Sequence, residues 1–148
     1  MSNRQIALAK FKDGYNCAQS VLYCYADKTG ISADLALKIS NGFGAGMGRK
    51  QEVCGALSGE ILALSLKYGR GENDDKQNQI TTYMRVRELM VRFETKHGTV
   101  NCKHLLSGCD LSTATGQQEF QQNGLIERCY GYVDTVVTIV DEIYAAEE

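Results

Sequence analysis

The chain contains no proline, and nowhere does it sustain the period-2 alternation of β-branched and aromatic residues that marks a half-buried strand. A sheet-built fold is excluded on that pattern, and an all-α fold is expected. No apolar run approaches the roughly 20 residues that a membrane helix needs, so a soluble protein without a membrane partner is expected. There is no basic excess either. Sixteen Lys and Arg stand against 18 Asp and Glu, a net charge of −2, which leaves no footprint for nucleic acid or an anionic lipid surface. The opening residues, Met1-Ser2-Asn3-Arg4-Gln5 followed by Ile6-Ala7-Leu8-Ala9-Lys10-Phe11, lack the apolar region and cleavage site of a secretory signal, and a cytoplasmic location is expected. Internal repeats and low-complexity tracts are also missing. At 148 residues the chain has the size of one compact domain, so residues 1–148 are read as a single helical, cysteine-bearing unit. No Ser/His/acid arrangement or paired-carboxylate spacing stands out, and a hydrolase is not indicated.

What is present is helical periodicity. Apolar spacing and caps predict helices over residues 4–12, 17–28 (capped by Asn16, stopped by Gly30) and 33–40 (capped by Ser32). Further helices are expected over 53–68, 77–96 (ended by Gly98) and 102–106 (capped by Asn101). The last helix shows the clearest face, with Tyr132, Val133, Val136, Val137, Val140, Ile143 and Tyr144 on one side before the acidic Glu147-Glu148. The glycine-rich stretch 42–48 reads as a loop, because each glycine costs about 1 kcal/mol in a helix interior. Residues 107–116 read as irregular. The architecture expected is a bundle of about five to seven helices, and the apolar last helix raises the expectation of a homodimer.

Six cysteines call for an explanation: Cys17, Cys24, Cys54, Cys102, Cys109 and Cys129. Three of them fall at predicted helix starts. Cys17 and Cys102 each follow an asparagine suited to N-capping, Cys54 opens the helix after the glycine stretch, and Cys129 lies near the start of the last helix. Free amide groups and the positive end of the helix dipole stabilise a thiolate there, so depressed thiol pKa values are expected. No C-x-x-C pair occurs, which excludes a thioredoxin-like motif and the common zinc-finger spacings. Any site must therefore gather cysteines distant in sequence. The glycine stretch lacks the Gly-Lys-Ser/Thr ending of a P-loop and follows a helix, so a nucleotide site is not expected. Arg49 beside it is a candidate for holding an anion or a thiolate. His97 and His104 flank Cys102 and are read as helix-terminus residues in preference to metal ligands.

The segment Cys54-Gly55-Ala56-Leu57-Ser58-Gly59, preceded by Gly42-Phe43-Gly44-Ala45-Gly46-Met47-Gly48-Arg49, resembles the signature of the C_GCAxxG_C_C family of proteins described as redox-active. Gly14-Tyr15-Asn16-Cys17-Ala18-Gln19-Ser20-Val21-Leu22 is similar to that family's N-terminal cysteine segment, and Cys102 and Cys129 correspond to its two later cysteines. The resemblance covers nearly the whole chain and implies a functional set of Cys17, Cys54, Cys102 and Cys129. It leaves Cys24 and Cys109 as buried small residues. Gly55 and Gly59 are expected to leave room beside Cys54 for a partner sulfur, a cluster or a small molecule.

Three functions compete at this level. The first is a thiol-based redox protein, a thiol–disulfide oxidoreductase with Cys54 as attacking thiolate and Cys17 or Cys102 resolving, served by a redox partner protein or a small thiol or disulfide. The second is a metal-binding or electron-carrier module in which the same four cysteines, Cys17, Cys54, Cys102 and Cys129, hold an iron–sulfur cluster or zinc. The third is a helical interaction domain with structural cysteines.

Overall fold

The computed structural model describes residues 1–147, and Glu148 of the predicted acidic end lies outside the described residues. The chain runs α1 (Asn3–Lys12), α2 (Cys17–Tyr23), α3 (Ala26–Thr29), α4 (Ala33–Ser40), a 3-10 turn (Asn41–Phe43), the single turn α5 (Gly44–Met47), α6 (Gly55–Tyr68), α7 (Gln77–His97), α8 (Cys102–Leu105), α9 (Ala114–Gln122) and α10 (Ile126–Ala145). Seven of these have seven residues or more, and no strand is present among the described residues, so the fold is all-α. One isolated bridge joins Val53 to Asn101. Among the described residues no helix is long and apolar enough to cross a membrane.

Side-chain caps set the helix starts. Ser2 with Gln5 and Asn16 with Gln19 form reciprocal capping boxes on α1 and α2, while Ser32 caps α4. Asn101 accepts from the His104 amide at α8, as the sequence predicts. Helix α6 lies at the centre, packed between α2, α7 and α10. Its Leu57 and Leu64 are fully buried with Val21 and Leu22 of α2, Leu89 and Phe93 of α7, and Val133, Val136, Val137 and Val140 of α10. Each such side chain stabilises the fold by about 1.5–3 kcal/mol. The apolar face of α10 that raised the expectation of a dimer is thus spent inside the bundle. A smaller apolar cluster, with Leu106, Cys109, Leu111 and Leu125 at its heart, sits beside the main core.

The structure departs from the sequence reading in several places. The helix expected over 17–28 breaks at Tyr25 (φ −105°, ψ 2°). The ring of Tyr25 is fully buried, and its hydroxyl donates to the Asp141 carboxylate at 2.7 Å while lying 3.2 Å from the Val137 carbonyl. That anchor fixes Tyr25 across the core at the expense of helix continuity. Helix α6 begins at Gly55 and not at 53, because Val53 is used in the bridge. Helix α9 falls in a stretch without a predicted element. Its glutamine-rich sequence shows no strong apolar period, and the usable signal is its Thr113 cap, which accepts from the Gly116 amide.

Candidate functional site

Backbone pairing around the glycine stretch brings two distant cysteines together. The Cys54 amide donates to the Val100 carbonyl at 2.9 Å and the Cys102 amide to the Glu52 carbonyl at 2.7 Å. This clip sets the N-cap of α6 beside the first residue of α8. Close approach at this point requires glycine at 46, where a Cβ would stand 2.8 Å from the Cys102 Cβ and 2.5 Å from the Gln51 Cα. On the other side the Asn16 side-chain amide donates to the Asn41 carbonyl at 2.9 Å and ties the start of α2, with Cys17, to the same region. Cys129 arrives from the first turns of α10.

The glycine stretch is not an ordinary loop. Ala45, Gly46, Met47, Gly48 and Arg49 all have positive φ, between 53° and 73°, so the chain makes a short left-handed turn. Left-handed backbone costs about 1–2 kcal/mol at each non-glycine position, and such strain persists only where the surroundings over-determine it. Here the Glu52 amide donates to the Gly46 carbonyl at 2.9 Å and the Gly48 amide to the Gly42 carbonyl at 3.0 Å. Gln51, buried and itself at φ 59°, donates through Nε2 to the Cys109 carbonyl at 2.7 Å and accepts from the Leu111 amide at 2.8 Å. The strained turn is thereby bolted to the 109–111 segment.

Cys17, Cys54, Cys102 and Cys129 all line one cavity of about 290 Å3, closed on one side by α9. Cys17 and Cys129 are half-buried, whereas Cys54 and Cys102 are buried. The Cys17 thiol is a hydrogen-bond partner of the Cys129 sulfur and pulls the Cys129 pKa down, against its partial burial and with help from the Arg128 guanidinium. The same bond, joined by burial, pushes Cys17 well up, because it must keep its proton to donate. Burial raises Cys54 to about 12, outweighing the α6 amides of Ala56 and Leu57 that favour its thiolate. Cys102 rises to about 11 through burial and the nearby Cys129, opposed by a hydrogen bond from Gln51. The expectation that helix starts depress the thiols at 17, 54 and 102 is therefore corrected. Desolvation disfavours a charged sulfur more than helix-end amides stabilise it.

Arg49 and Gly55 line the cavity. Gly59 does not. A Cβ there would stand 2.3 Å from Val21 Cγ2 and 2.5 Å from the Ala18 carbonyl oxygen, so this glycine serves the packing of α6 on α2. His97 is elsewhere, with Nε2 2.9 Å from Thr135 Oγ1, and His104 is exposed. Cys24 is buried in the main core, its thiol donating to the Val21 carbonyl. Cys109 lies in the smaller cluster and donates to the Gly116 carbonyl at 3.1 Å, which pins the start of α9. Sequence reasoning missed Gln51, Arg128 and the α9 side chains Gln117 and Phe120. Among the described residues no group of three or more His, Cys, Asp or Glu side chains stands at metal-holding distances, so the four thiols do not form a ready ligand set.

No curated protein and no solved structure matches the chain. Residues 15–143 match the family described as "Putative redox-active protein (C_GCAxxG_C_C)". That match spans most of the chain, takes in the four cysteines that line the cavity, and establishes that this chain belongs to the C_GCAxxG_C_C family.

Proposed function

We propose that the protein is a thiol–disulfide redox protein in which Cys129 attacks and Cys17 resolves. What supports this reading is that the two half-buried thiols line one cavity and shift each other's acidity in opposite directions, Cys129 down and Cys17 up. A thiolate is the nucleophile in disulfide exchange, and a partner thiol within contact closes the disulfide. The order of attack thus moves from Cys54 to Cys129. Cys54 and Cys102, side by side through the backbone clip, form a more deeply buried second couple to which the disulfide passes by exchange. A redox partner protein or a small thiol or disulfide supplies the electrons, and a cytoplasmic setting keeps the resting protein reduced.

The test is oxidation of the reduced protein with a mild disulfide, followed by non-reducing peptide mapping and titration against dithiothreitol. A Cys17–Cys129 disulfide that behaves as a single two-electron couple, and is lost in Cys129→Ser, is the expected outcome. If neither residue enters a disulfide, the reading fails. Stoichiometric iron or zinc in anaerobically purified protein would replace it with the four-thiolate alternative.

A further inference from the structure

Resting on the thiol–disulfide reading, we infer that the oxidant or product handled at this site is a small, uncharged, largely apolar organic disulfide, and not a peptide disulfide. The thiols do not lie on an open surface but in a cavity of about 290 Å3, at the low end of the roughly 300–1,000 Å3 range of small-molecule sites. Apolar side chains, Phe11 of α1, Leu105 of α8, Leu111, Phe120 of α9 and Tyr132 of α10 among them, make most of its walls, and the amides of Asn16, Gln117 and Gln121 make the polar part. The polar hydroxyl of Tyr132 is turned away, donating to the Leu105 carbonyl at 2.9 Å. Arg49 is the one charged side chain among the lining residues, and it is exposed.

A peptide brought against such walls loses water from its amides and finds few partners there, since Asn16 is already bonded to Asn41 and Gln19 and Gln117 Nε2 to the Leu111 carbonyl. Aromatic or alkyl substituents on sulfur gain from the same walls. Helix α9, which supplies Phe120 and Gln117, is tied down by the Cys109 thiol and by Gln117 Nε2 donating to the Leu111 carbonyl at 3.0 Å. The wall it forms is therefore built into the fold.

The chemistry closes within the site. The Cys129 thiolate attacks one sulfur of R–S–S–R, breaking that bond and expelling RS−, which takes the Cys17 proton and leaves as RSH. The Cys17 thiolate then attacks the Cys129 sulfur of the mixed disulfide and expels the second RS−, which takes a proton from solvent. Two electrons pass from the cysteine pair to the small disulfide, giving Cys17–Cys129 and two molecules of thiol. The reverse sequence regenerates the dithiol.

The test compares rates of Cys17–Cys129 formation with 4,4'-dithiodipyridine, neutral and aromatic, 2-hydroxyethyl disulfide, neutral but polar, and oxidised glutathione, a charged peptide. Each rate is divided by that of the same protein unfolded in urea, which removes intrinsic reactivity. The folded protein should favour dithiodipyridine over glutathione by about tenfold or more beyond the unfolded chain, with hydroxyethyl disulfide between. Phe120→Gln, on the short outer helix, should reduce that preference severalfold while the circular dichroism spectrum is kept. If the disulfide forms with all three oxidants at the unfolded ratios, the assignment of an apolar substrate is overturned and the redox reading stands. If no oxidant yields the disulfide, both fall.

Discussion

Cys17 and Cys129 line the same cavity, close enough to drive each other's acidities apart, Cys129 falling below the ordinary thiol value and Cys17 rising above it. A pair of thiols whose acidities are split has its better nucleophile and its proton donor assigned before any substrate arrives.

The asymmetry depends on the donor. In Cys17→Ala the Cys129 sulfur loses its hydrogen bond and keeps only Arg128 against its partial burial, so its pKa should rise. Its alkylation by iodoacetamide at neutral pH should slow severalfold, with the rate profile displaced to higher pH. Cys17→Ser, which keeps a hydroxyl donor, should restore part of the rate. Equal rates in wild type and Cys17→Ala would show that the contact does not tune Cys129.

Gln51 bolts the left-handed turn to the segment carrying Cys109. Replacing it with leucine orphans the buried Cys109 carbonyl and Leu111 amide, at about 1–3 kcal/mol each. Gln51→Leu should therefore lower stability in urea titrations by roughly 2–6 kcal/mol and open Cys109 to thiol reagents. A loss below about 1 kcal/mol would mean that water replaces the bolt.

Glu60 is completely buried in α6 with neither carboxylate oxygen hydrogen-bonded, and burial, reinforced by the charge of Asp141, raises its pKa well above 4.5. Asp141, Cys24, Tyr25 and Tyr144 are the titratable groups it influences or feels. Folded protein holds the proton where unfolded chain has released it. The stability from this group is complete below the unfolded value of about 4.5 and is lost as pH climbs through the folded value, at up to about 1.4 kcal/mol per pH unit. Glu60→Gln should flatten that decline and raise the melting temperature at pH 8, as measured by thermal scans at several pH values. An unchanged slope would assign the decline to other groups.

Gly59 is a packing residue, so Gly59→Ala should destabilise by about 1–3 kcal/mol as α6 is pushed from α2. Gly131, in α10 with open space around its Cβ position, provides the contrast. Gly131→Ala should stabilise by up to about 1 kcal/mol. Denaturant midpoints of the two variants check both, and equal effects would contradict the packing role.

The all-helical class, most helix starts and the family of this protein are written in the chain locally. Caps at Ser2, Asn16, Ser32 and Asn101 act within three or four residues, and the α10 stripe repeats at the helical period, so neither needs long-range information. The identity of the four clustered cysteines was legible through the family resemblance. Their order of reactivity was not. Helix-end amides, visible in sequence, stabilise the Cys54 thiolate, yet desolvation by elements distant in the chain wins and lifts it to about 12. Which thiol faces which, that Gly55 borders the cavity while Gly59 meets α2, and that a glutamine-rich stretch folds as α9 over the thiols were decided by tertiary packing. Burial and sulfur contacts are made by residues brought together only when the bundle closes.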